Sequence, residues 1–95
     1  MKINDVTVSD LKNYLNIMHD EDDALIKSIL RGTKAYIKNY TGLSNESMDD
    51  YEELVIVLFV IASESYDNRS MTVDKISKVN PLVETMLNLH SINLL

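Results

Sequence analysis

Four consecutive acids, Asp20-Glu21-Asp22-Asp23, are the densest group of potential ligands in this 95-residue sequence. Asp20 and Asp22 match the first two ligand positions of a helix-flanked calcium loop. Such a loop also needs Asp or Asn at its fifth position and Gly at its sixth, to make the sharp turn. Ala24 and Leu25 stand there, so calcium binding is not expected. Acids ahead of an apolar-periodic stretch suit a helix start, with Asp20 as N-cap and the others stabilised by the positive end of the dipole. His19 and His90 have no second ligand at metal spacing, and no serine sits in a nucleophile turn. The absence of cysteine removes disulfides, thiolate ligands and a thiol nucleophile, and two isolated glycines make no phosphate-binding loop. We therefore expect no catalytic residue, no metal and no cofactor, and do not read the chain as an enzyme. His90, on an apolar stripe, reads as a packed, hydrogen-bonded histidine.

The second charged pattern is basic. Lys27, Arg31, Lys34 and Lys38 recur at i, i+4, i+7 and i+11, which stacks them on one helix face in a chain of net charge −6. A solvated face is the commoner meaning; an acidic neighbour subunit or a phosphate backbone are the functional ones. No aromatic residues interleave with the four cations, and the negative net charge opposes sequence-blind nucleic-acid binding. At most weak, non-specific DNA contact is expected.

These charges must be positioned by helices. The basic face lies on a segment from Glu21 to Tyr40, whose other side carries Leu25, Ile26, Ile29, Leu30, Thr33, Tyr36, Ile37 and Tyr40 as a core-facing arc. Gly42 is its left-handed stop. Ahead of it, Thr7-Val8-Ser9-Asp10 forms a capping box with Val6 and Leu11 as a hydrophobic staple. A short helix starts there, docks Leu11, Tyr14, Leu15 and Met18, and ends near Ile17 or Met18.

The most apolar stretch is Leu54 to Ala62, LVIVLFVIA. It is too short to cross a bilayer, which needs about 20 apolar residues in a helix. Its β-branched residues would suit a strand, but no Gly or Pro interrupts Asp49 to Asn68 and the polar flanks keep a helical period. We read one central helix over that span, capped by Ser47 or Asp49. Tyr51, Leu54, Val55, Leu58, Phe59, Ile61, Ala62, Ser65 and Tyr66 share its broad inner face. On the back, Ile56 and Val60, with Val57 beside them, form an apolar island among Glu53, Glu64 and Asp67. Another helix of the same chain is the commoner cover; a neighbouring subunit is the alternative.

Arg69 suits the negative end of that helix. Ser70 to Val79 reads as a loop or arm, mobile in a free subunit. Asn80-Pro81 opens a last helix that presents Leu82, Val83, Met86, Leu87, Leu89 and His90 on one face. The tyrosines fall mostly on core-facing stripes, which implies buried rings with hydroxyls at the rim.

The whole is expected to be one all-α domain over 1–95, a small bundle of about four helices that association would help to stabilise. The polar start MKINDVT carries no signal peptide, so the chain is read as cytoplasmic with no membrane contact, and its matches to N-x-S/T at Asn39, Asn45 and Asn68 as coincidental.

The order of several segments resembles the phage head-tail connector family, small helical proteins also described as DNA-packaging or head-completion proteins of tailed phages and prophages. The resemblance rests on VSDLKNYLNI, the acidic turn HDEDDALI, Ala35 to Gly42 (AYIKNYTG), the apolar helix ending Tyr66-Asp67-Asn68-Arg69, and VNPLVETMLNL. It covers nearly the whole chain. It implies a structural, non-enzymatic protein of the virion neck, present in the host cytoplasm during assembly. Such a protein forms a homo-oligomeric ring between portal protein and tail-side connector proteins, completing the head and continuing the DNA channel. The last helix of that family often ends in a basic residue, whereas here His90 and an apolar tail follow Leu89. Ring subunits make heterologous contacts, so unlike patches must meet. Lys27, Arg31, Lys34 and Lys38 against Glu53, Glu64 and Asp67, with Ile56, Val60 and Arg69, are the interface candidates. A small DNA-binding transcriptional regulator is the alternative; it would need a basic recognition helix after a tight turn, where this chain is apolar and acidic.

Overall fold

The computed structural model describes residues 1–68 and 81–90, the side chains at 82 and 90 excepted. Arg69, the expected arm Ser70 to Val79, Asn80 and the reading of His90 as a packed side chain lie outside the described residues. Among the described residues a 3₁₀ turn, Ile3–Asp5, precedes five α-helices: α1 Val8–Leu15, α2 Asp23–Thr41, α3 Asn45–Asp49, α4 Glu53–Asp67 and α5 Pro81–His90. The described residues contain no strand, so the all-α expectation holds.

Local chemistry sets several of these boundaries. The capping box is formed in full: Asp10 N–H donates to Thr7 Oγ1 at 3.2 Å and Thr7 N–H to Asp10 Oδ2 at 2.9 Å. Val6 and Leu11 are both buried beside it. At the other end Asn16 takes the left-handed conformation, φ 58°, and Ile17 N–H bonds back to Lys12 O at 2.9 Å. The stop therefore falls at Leu15, before the expected Ile17 or Met18. Beyond it the helical spacing no longer applies, and Met18 is 97% exposed instead of docked. Gly42 ends α2 as expected, with φ 73° and its N–H on Lys38 O at 2.9 Å.

The central segment divides in two. Ser44, not Ser47 or Asp49, is the cap, accepting from Ser47 N–H at 3.1 Å at the start of α3. The five-residue α3 buries Met48, and the chain then turns through Asp50 to Glu52 before α4. Asp49 is held from outside the segment, because Asn4 donates to its Oδ1 from both the backbone N–H, at 3.1 Å, and Nδ2, at 3.0 Å. That tether docks the N-terminal turn on α3, and Asp49 accepts these bonds instead of capping the central helix.

The core gathers residues from every described element. Helix α4 packs on α2, α5, α1 and the 3₁₀ turn, and turns Leu54, Val55, Leu58, Ile61 and Ala62 inward. Helix α2 contributes Ile26, Leu30 and Ile37, and α5 Val83 and Leu87. Leu89, expected on the inner face, is 75% exposed. The tyrosines are wetter than their stripes suggested: Tyr14, Tyr40 and Tyr51 are 49%, 36% and 37% exposed, and only Tyr36 and Tyr66 are half-buried. Their hydroxyl ends reach solvent or rim partners, as in Tyr40, whose hydroxyl donates to Asn88 Oδ1 at 2.7 Å and so ties α2 to α5.

Candidate assembly surface

The back of α4 carries the apolar island in reduced form. Val57, 1% exposed, belongs to the core, because at 100° per residue it falls beside Leu54 and Ile61 on the inner edge. Ile56 is 54% exposed and Val60 half-buried, with Glu53 and Asp67 exposed at either end of the strip and Glu64 half-buried beside it. Neither Glu53 nor Asp67 makes an ion pair among the described residues. One helical step from Ile56 lies Phe59, and Tyr14 of α1 stacks on its ring, centroids 4.8 Å apart. An apolar strip thus continues from α1 across α4.

The basic row of α2 is also reduced. Lys27, Arg31 and Lys38 are exposed, without ion pairs among the described residues. Lys34 is half-buried, and its ammonium donates to Val6 O at 2.8 Å and Asn4 O at 3.5 Å. Burial pulls its pKa below the ordinary lysine value, against the raising influence of Asp5, Asp49 and Asp10. Lys34 therefore pins the N-terminal segment to α2, and the free face holds three cations. The i+7 step that places it in the row also turns it furthest toward the core, which the period alone did not separate.

The acidic run has become a set of tethers. Asp20 does not cap α2; the helix starts at Asp23 after Asp22, whose side chain makes no cap hydrogen bond. Lys12 of α1 reaches across, its ammonium 2.6 Å from Asp20 Oδ1 and 2.8 Å from Asp23 Oδ1. The hydrogen bond from Lys12, reinforced by its charge, holds the Asp20 carboxyl below the usual aspartate range, and the same contacts raise Lys12. The Tyr66 hydroxyl donates to the Asp22 carboxylate, joining the end of α4 to the start of α2. Sequence reasoning missed this cluster. Its only sequence signal is one lysine eight residues before the acids, a separation that gains meaning once the loop folds back. An open cleft of about 460 Å³ lies beside it, lined by Val8, Ile17 and Met18 around Lys12 and Asp23. Its one ammonium is already paired with carboxylates. No group of three or more His, Asp or Glu among the described residues is arranged to hold a metal. His19 Nδ1 accepts from the Glu21 N–H at 3.3 Å.

The described surface therefore offers two unlike patches, one apolar with acidic ends and one basic. Among the described residues, no helix is long and apolar enough to cross a membrane. No curated protein and no solved structure matches the chain. The family model described as phage gp6-like head-tail connector protein matches residues 5–90, from the 3₁₀ turn to the end of α5, and the chain belongs to that family.

Proposed function

We propose that this chain is a structural subunit of the phage neck, a ring-former placed between portal and tail-side connector proteins and continuing the channel through which DNA leaves. The observation that carries the reading is the family match over residues 5–90. The surface is consistent with it, since Ile56 stands 54% exposed on the most apolar of the described helices. Contiguous exposed apolar patches rimmed by polar residues are a common mark of protein contact. The chain acts as one domain over 1–95 and makes no more than weak DNA contact in the channel, given its net charge of −6. Its place is the virion neck, reached from the host cytoplasm during assembly.

The regulator reading gains nothing from the fold. The helix that follows the Gly42 turn is α3, NESMD, five residues long and acidic, and it buries Met48. A recognition helix needs an exposed basic face there.

Electron microscopy of the purified protein, with native mass spectrometry over a concentration series, tests the assignment. Closed rings, or binding to portal-bearing heads, support it. A strict monomer that also leaves portal-bearing heads unbound overturns it.

A further inference from the structure

Resting on the ring reading, we infer that the outward face of α2 in one subunit receives the Ile56 and Val60 strip of α4 from a second copy of this chain. Both helices turn their buried faces into one core, so their exposed faces look outward from different sides of the α2 and α4 pair. A subunit therefore presents both patches and cannot use one to cover the other. Contacts between unlike patches run head to tail, and they close into a ring when the rotation allows.

Charge selects the occupant. Lys27, Arg31 and Lys38 are exposed and unpaired among the described residues, and so are Glu53 and Asp67 at the ends of the apolar strip. At 1.5 Å rise per residue the basic row spans about 16 Å and the acidic ends lie about 21 Å apart, comparable lengths once side chains are added. On this face of α2 a polyanion would meet three exposed cations among the described residues, on a chain of net charge −6, whereas a second copy brings the complementary acids itself.

Gly32 gives the contact its depth. It lies in the interior of the 19-residue α2, where glycine weakens a helix relative to alanine. Among the described residues a Cβ placed there would meet nothing within 4 Å, so none of them requires its absence. Ala24, Ser28 and Ala35 are exposed on the same side of α2. Small side chains beside the basic row would leave room for Ile56 and Val60 of the neighbouring subunit.

The absence of native cysteine makes cross-linking a clean test. Gly32→Cys and Ile56→Cys proteins, mixed and mildly oxidised, are expected to form a disulfide-linked heterodimer about tenfold faster than either does with an exposed control, Ser9→Cys, because docking raises the local thiol concentration. Ser28→Cys replaces Gly32→Cys if the latter folds poorly. Heterodimer formation at the control rate, or slower than Gly32→Cys with itself, overturns the pairing.

Charge reversal supplies the second arm. The triple variant Lys27→Glu, Arg31→Glu, Lys38→Glu and the double variant Glu53→Lys, Asp67→Lys should each fail to associate, and their mixture should regain association. Recovery supports the pairing; two variants that assemble as the wild type does overturn it. Wild-type rings with control-rate cross-linking would sink this contact and leave the ring. Pair-specific cross-linking without closed species would keep the contact and sink the ring.

Discussion

The ring of Tyr14 on α1 lies stacked on that of Phe59 on α4, centroids 4.8 Å apart and planes 9° from parallel. Tyr14 is 49% exposed, so the contact is a lid over the half-buried Phe59 and not a core pair. Stacked aromatics contribute about 0.5–1.5 kcal/mol beyond the area they bury. Tyr14→Ala should therefore destabilise the subunit by roughly 1–2 kcal/mol. A double-mutant cycle with Phe59→Leu, followed by urea denaturation, should return a coupling within the aromatic range; additivity would show that the rings do not interact.

The Lys12 tether predicts a pH dependence. Asp20 has a depressed folded pKa, so its contribution is fully present above the unfolded aspartate value of about 3.9 and is lost as pH falls through the folded value. Lys12 has a raised folded pKa, so its contribution is present below about 10.4 and is lost as pH rises through the higher folded value. Lys12→Met keeps much of the stem and removes the charge. The melting-temperature gap between wild type and this variant should be widest across the neutral range and narrow toward both extremes. A gap that stays constant in acid would mean that Asp20 and Lys12 are not paired in solution.

Thr33 is fully buried in α2, and its hydroxyl finds no hydrogen-bond partner among the described residues. An unsatisfied buried polar group costs about 1–3 kcal/mol, and threonine and valine have similar helix propensities. Thr33→Val is expected to stabilise by about 1 kcal/mol, which for a domain of this size raises the melting temperature by roughly 4–8 °C. A lowered melting temperature would show that the hydroxyl has a partner after all.

Gly32→Ala should raise the stability of the isolated subunit by about 0.5–1 kcal/mol, since alanine restricts the unfolded chain more and the site has open space. Gly32→Leu should fold equally well and assemble poorly, because the side chain fills the space assigned to the neighbouring subunit. Calorimetry paired with native mass spectrometry reads both effects. Unimpaired assembly of Gly32→Leu would place the contact elsewhere.

Adjacent residues on α4 give the sharpest contrast. Ile56→Asp, on a side chain 54% exposed, should change stability by no more than about 0.5 kcal/mol while blocking assembly. Val57→Asp, at 1% exposure, places an unpaired carboxylate in the core and should prevent folding, a cost of several kcal/mol. Circular dichroism melts and sizing chromatography on the two variants decide. An Ile56→Asp protein that assembles normally would remove the strip from the interface.

The sequence determined many of the features that depend on neighbours along the chain, though not the end of α1 at Leu15, the Ser44 cap or the break between α3 and α4. The Thr7 and Asp10 capping box, the left-handed stop at Gly42, most of the inner faces of α2 and α4 and the helix opening at Pro81 follow from caps, glycine and a 3.6-residue period acting within one or two turns. The family resemblance was likewise legible, since it rests on the order of short segments. Tertiary structure alone decided what passes between segments distant in the chain. It took Asp49 as a partner for Asn4, gave Lys34 to Val6 O, and spent Asp20, Asp22 and Asp23 on Lys12 and Tyr66. A charged side chain bonds to whichever group the fold brings within about 3 Å, and helical spacing records only which side of its own helix it leaves from. For the same reason the period grouped Val57 with Ile56 on an outer island. Helix α4 is apolar nearly all round, so its neighbours chose the direction that became inside.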